Sequence, residues 1–159
     1  MTYQQVRDVV ARIRRCHQRL RDALDTPGNR ARDHRTQEML DALRREEQEL
    51  QLLLGRYGAQ GEESLLDTWL QYVPDDDVSQ IASSIEFGPE LTPEDVVIRK
   101  LEFDNALIDL LETLAEETSA PRVREFFRTM VENARSRRSR RVWSIREFQA
   151  DGSPPPPHA

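Results

Sequence analysis

The sequence predicts an all-α protein: a four-helix bundle of two antiparallel helical hairpins joined by a long crossover with short helices. Three observations predict it. Four segments repeat their apolar residues at spacings of three and four, the signature of helices with one buried face. Short turn signals separate the first pair and the second pair, so each pair folds back on itself. The stretch between the pairs is more than thirty residues long, enough to cross from one end of a bundle to the other.

Each element follows in order. Residues 3–25 place Val6, Val9, Val10, Ile13, Cys16, Leu20, Ala23 and Leu24 on one stripe. Asp25-Thr26-Pro27-Gly28-Asn29 is a dense turn signal. A second helix is expected over 30–57, with Thr36, Leu40, Leu43, Glu47, Leu50, Leu54 and Tyr57 facing inward and Gly55 and Gly58 marking its end. The crossover spans 58–91. It is expected to hold one short helix over 62–73, carrying Trp69 and Tyr72, and another over 78–85 after Pro74 and the acids Asp75, Asp76 and Asp77. Thr92-Pro93-Glu94-Asp95 announces the third helix, with an N-cap, a first-turn proline and acids that suit the helix dipole. That helix continues to about Thr118. Ser119-Ala120-Pro121 starts the fourth, whose apolar face is Val123, Phe126, Phe127, Met130 and Val131 and which is expected to reach Phe148. Residues 1–150 thus form a single bundle, and the proline-rich tail 151–159 (DGSPPPPHA) is expected to be disordered or polyproline-like. The halves also align at an offset of 87, Met39 on Phe126, Leu40 on Phe127 and Leu43 on Met130, as a duplicated hairpin would.

Composition narrows the function classes. The 159 residues carry 23 basic against 29 acidic side chains, a net charge of −6 that argues against whole-surface nucleic-acid binding. No apolar run approaches the roughly 20 residues of a membrane span, and the N-terminus lacks the layout of a secretion signal, so a cytoplasmic location is expected. One cysteine excludes a disulfide framework and a cysteine-rich zinc site. Lys100 is the only lysine among the basic residues. No nucleophile elbow, phosphate loop or zinc spacing is present.

The segments LEFDNALIDLLETLAEETSAPRVREFFRTMVE (101–132) and 35–57 resemble the second hairpin, and the end of the first, in the rubrerythrin-like branch of the ferritin-like superfamily. Such proteins hold two metal ions with one Glu from each of two helices and a Glu-x-x-His pair from each of the other two. Residues i and i+3 share a helix face, so carboxylate and imidazole converge on one ion. Carried onto this chain, the first Glu position falls at or beside Val10. Glu47 stands at the second, but Leu50 replaces its histidine. Asp104 occupies the third, and Ala134 and Arg137 replace the fourth Glu-x-x-His pair. Two of six positions keep a carboxylate and no histidine survives, so the resemblance implies a ferritin-like fold with a degenerate site and no metal cofactor. A shift of register leaves an alternative: iron or manganese on an irregular carboxylate set of Glu46, Glu47, Glu49, Asp104 and Glu132.

What fills the vacated interior is the sharper question. Glu47 lies on an apolar stripe, and so does Arg137 if the fourth helix continues; a buried charge must be paired. A buried cluster of Glu47, Asp104 and Arg137 is therefore expected, unless the fourth helix leaves the core first and Arg137 meets water. Arg135, Arg137, Arg138, Arg140 and Arg141 form a basic run that is either a patch for an anionic partner or the ordinary basic end of a helix. Trp69 and Tyr72 are expected to staple the crossover to the bundle rather than to line a ligand pocket. Trp143, Ile145 and Phe148 mark either a dimer interface or a cover for the chain's own crossover. Cys16 is expected in the core and His34 in solvent. The function expected is that of a non-catalytic structural or protein-interaction module, a homodimer with an unidentified protein partner. The rival is a di-iron or di-manganese oxidase or iron-handling protein.

Overall fold

A computed structural model describes the backbone of residues 3–25, 33–60, 63–74 and 77–152, with side chains except those of 56–60 and 142–152. Among the described residues the fold is helical apart from one minimal strand pair: β1 (Gln4–Gln5), α1 (Val6–Asp25), α2 (His34–Gln60), α3 (Glu63–Leu66), β2 (Trp69–Leu70), α4 (Val78–Ser84), α5 (Pro93–Glu117) and α6 (Pro121–Gly152).

Two antiparallel helical pairs make up most of the fold. α1 packs on α2, α5 packs on α6, and α2 meets α5. Each pair is fastened at its turn by an arginine of the second helix that donates to carbonyls at the end of the first. Arg44 Nε reaches Leu24 O at 3.0 Å. Arg124 reaches Ala115 O at 3.2 Å and Thr118 O at 2.8 Å. A cation there suits both the unpaired last carbonyls and the negative end of the helix dipole. α5 begins as its sequence foretells: Thr92 Oγ1 accepts from Asp95 N at 3.2 Å and Asp95 Oδ2 accepts from Thr92 N at 3.1 Å, with Pro93 in the first turn.

Three boundaries differ from the sequence reading. α2 does not stop at Gly55 or Gly58 but runs to Gln60. A helix-ending glycine needs a left-handed residue beyond the last turn, and Gly55 stays inside the helix between buried Leu54 and the turns that follow. A Cβ added there meets nothing within 4 Å. Gly55→Ala is therefore expected to stabilise the protein by about 0.5–1 kcal/mol, read as a higher urea midpoint at unchanged slope. α6 extends through Asp151 and Gly152, past the expected start of the tail; residues 153–159 lie outside the described residues.

The crossover is the third difference. It contains one helical turn, α3, and then a strand residue pair, not a helix over 62–73. β2 pairs antiparallel with β1, Gln4 opposite Leu70 and Gln5 opposite Trp69, and Val6 N donates to Thr68 O at 3.0 Å. The expected aromatic staple is not what holds it. Trp69 is 61% and Tyr72 42% exposed, and neither lines the cavities described below. Leu66, Leu70, Val78, Ala82, Ile85 and Phe87 are buried instead, and α4 lies against both α1 and α5. Five aliphatic side chains and the Phe87 ring seal the crossover onto the helices. Cys16 is buried, its Sγ 3.6 Å from Ser79 Oγ. No described helix is long and apolar enough to cross a membrane.

Candidate functional site

The interior of the helix pairs carries a connected set of charges. His17 on α1, Glu46 and Glu47 on α2, Lys100 and Asp104 on α5, and Arg137 and Arg141 on α6 form one network, with every long helix contributing. Each of these is placed by helical spacing. His17 follows Cys16 on the buried stripe of α1, and Lys100 lies between Val97 and Phe103, one turn before Asp104, on the buried stripe of α5.

Glu47 and Lys100 are each 1% exposed. The Lys100 ammonium stands between two carboxylates, 3.1 Å from Glu47 Oε1 and 2.7 Å from Asp104 Oδ1. Its charge also lies 4.9 Å from the centroid of the Phe103 ring, which its negative face attracts. The other Glu47 oxygen, Oε2, is 2.8 Å from His17 Nδ1. A carboxylate only accepts, so Nδ1 carries the proton in that contact. The His17 ring meets Phe103 edge-on at 5.1 Å. Arg141 completes the set: one terminal nitrogen donates to Asp104 Oδ2 and the other to Glu46 Oε1.

Burial alone would raise the Glu47 carboxyl. The Lys100 ammonium beside Oε1 and the His17 ring, which donates to Oε2, override it and hold the group well below the usual carboxylate range. Three carboxylates (Glu46, Glu47, Asp104) thus face three cations (Lys100, Arg137, Arg141). Charge balance of this kind is what lets ions persist in a core.

Arg137 occupies a different environment from Arg141. Its side chain is 17% exposed and its Nε lies 4.0 Å from Glu46 Oε1, beyond hydrogen-bond distance. Burial lowers its guanidinium from the ordinary value, and the carboxylates of Glu46, Asp104 and Glu47 offset this only in part.

The positions predicted to face a metal divide cleanly. Val10, Leu50 and Ala134 are buried apolar residues. Glu47 and Asp104 come together on Lys100, a partner the sequence reading did not name, and Arg137 reaches Glu46 rather than either of them. Of the irregular carboxylate set, Glu49 and Glu132 are exposed and stand apart from the buried pair. Among the described residues no three His, Cys, Asp or Glu side chains are grouped to hold a metal ion.

The basic run does not form one surface. Arg141 is buried, Arg137 half-buried, Arg135 bonds Glu112, and Arg138 donates to Asn105 Oδ1 at 2.8 Å. Only Arg135 and Arg140 of the five are exposed. The Trp143, Ile145 and Phe148 side chains lie outside the described residues. His34 is exposed and sits 3.0 Å from Glu38.

The missed members had signals. Lys100 is the sole lysine and shares a stripe with Asp104 four residues on. His17 lies on the stripe that includes Ile13, Leu20 and Leu24. Arg141 follows Arg137 by one turn, so both could point the same way.

Three cavities adjoin the network. A groove of about 750 Å³ runs between α2 and α6. A cleft of about 330 Å³ lies between α1 and α2, and an inner crevice of about 20 Å³ reaches His17 from the groove side. Compared with protein-family models, curated proteins and solved structures, the chain matches none.

Proposed function

We propose that the chain is a ferritin-like four-helix bundle of the rubrerythrin-like type whose di-metal site has been replaced by an internal salt-bridge network. It acts as a non-catalytic structural or protein-interaction module, a cytoplasmic homodimer. The supporting observation is the Lys100 ammonium, buried between Glu47 and Asp104 at 3.1 and 2.7 Å. In a carboxylate-bridged metal centre that space belongs to the cation. Here a side-chain cation takes it, and Arg141 occupies the second oxygen of Asp104.

A metal ion entering the site must displace a permanently positive guanidinium and an ammonium from the carboxylates they neutralise, and it finds no histidine pair to replace them. Purified protein incubated anaerobically with iron(II) or manganese(II) and then desalted is expected to retain well below one ion per chain by elemental analysis. Two ions per chain, lost in Asp104→Ala, would establish the rival di-metal reading.

A further inference from the structure

The groove between α2 and α6 has a composition that the internal network does not require. One wall carries Met39, Leu43, Leu50 and Leu53; Arg45 and Arg140 stand at the rims, and Arg137 is set between them. From Met39 to Leu53 the α2 wall is about 21 Å long at 1.5 Å per residue. The acids that line it are Glu46 and Glu49, against four arginines, and Glu46 is already engaged by Arg141.

Arg137 is the telling group. A guanidinium carries five donors, yet among the described residues its only polar contact is the 4.0 Å approach to Glu46. It is largely removed from water and lines both the groove and the inner crevice. Glu46, Asp104 and Glu47 balance its charge at a distance but take none of its hydrogen-bond donors, and its open side faces a cavity of ligand size. Leu50, Leu53 and Arg137 also line the inner crevice, which Leu107, Leu111 and Met130 bound and which has room for about one water-sized group. A crevice of that size takes no more than the end of an apolar chain. A second copy is disfavoured for another reason: a twofold would set the arginine-rich wall against itself.

We propose that the α2–α6 groove binds a small amphipathic anion, its acidic head paired with Arg137 between Arg45 and Arg140 and its apolar body lying along Leu50 and Leu53. The shared chemistry is an oxyanion joined to a short alkyl or aryl group, whether free in solution or part of a lipid.

Calorimetric titration of the full chain with octyl phosphate below its micellar range tests this. One saturable site is expected, with inorganic phosphate and octyltrimethylammonium each at least tenfold weaker. Arg137→Leu is expected to weaken octyl phosphate by about tenfold to a hundredfold, the range for a charge-assisted hydrogen bond. Arg45→Glu, on the exposed rim, is expected to weaken it several-fold and is read if Arg137→Leu does not fold. Unchanged affinity in either folded variant, or equal binding of the cationic amphiphile, overturns the proposal. Binding to phosphatidylglycerol vesicles as well as to octyl phosphate identifies a lipid source. Vesicle binding with no octyl phosphate site overturns the groove and leaves a surface charge effect.

Discussion

Lys100→Met is expected to cost about 3–5 kcal/mol of stability, read as a fall in the urea midpoint, the range seen when one partner of a buried ion pair is removed. Methionine fits the volume and keeps the apolar stem, so packing is not the source of the loss. The source is Glu47 and Asp104, which keep their burial and lose the cation between them. The pH dependence identifies the cause. In the parent, Glu47 is held well below the usual carboxylate range. A carboxyl depressed on folding contributes stability that is present above its unfolded value, about 4.3, and is lost as pH falls below it. Without Lys100 the burial of Glu47, the largest of its influences, opposes ionisation with less to counter it. Protonating Glu47 then relieves the variant, whereas in the parent it breaks a pair. The stability gap between the two proteins is therefore expected to narrow as pH falls from 7 towards 4. A gap that stays constant across that window would show that the loss came from packing.

The parts of this site that were legible in the sequence are those where a single charge interrupts an apolar stripe. Glu47, between Leu43 and Leu50, could only be buried and therefore paired. Asp104 was named only through the family resemblance, which set it at a ligand position. The partners were harder because a salt bridge is satisfied by any cation that reaches. Arg137 and Arg141 are one turn apart on the same face, and which of them enters the core depends on how closely α6 approaches α2, a tertiary quantity with no local signature. Lys100 and Asp104 share their stripe at i and i+4, a local pattern that marks them as a pair. The crossover shows the opposite limit. Glu62 to Val73 has enough apolar residues for a helix, but after α3 the chain pairs with residues 4–5 instead. Burial went to the aliphatic residues Leu66 and Leu70, leaving Trp69 exposed. Strand pairing with a segment some sixty-five residues away cannot be read from local periodicity, which is why the helical pairs were readable and their connection was not.

Arg141→Met is expected to cost about 3 kcal/mol, whereas Arg140→Met, its sequence neighbour, is expected to change stability by no more than about 0.5 kcal/mol. Both lie in the same basic run, and helix propensity barely separates arginine from methionine. The difference is where a 100° step around α6 puts the side chain. Arg141 is 4% exposed and bridges Asp104 to Glu46, so it joins α5 to α2 through α6. Arg140 is exposed, where an ion pair is worth little. Because Arg141 and Lys100 hold opposite oxygens of Asp104, their effects are not independent. Once Lys100→Met has broken one side of the network, the carboxylate that Arg141 shares with Lys100 is already free to rearrange and meet water, so part of what Arg141 contributes is lost before Arg141 is removed. The double variant is therefore expected to lose less than the sum of the two single losses, by 1 kcal/mol or more, the size of coupling found within one ion network. Strict additivity in urea unfolding would mean that the two cations act on separate carboxylates and that Asp104 does not link them.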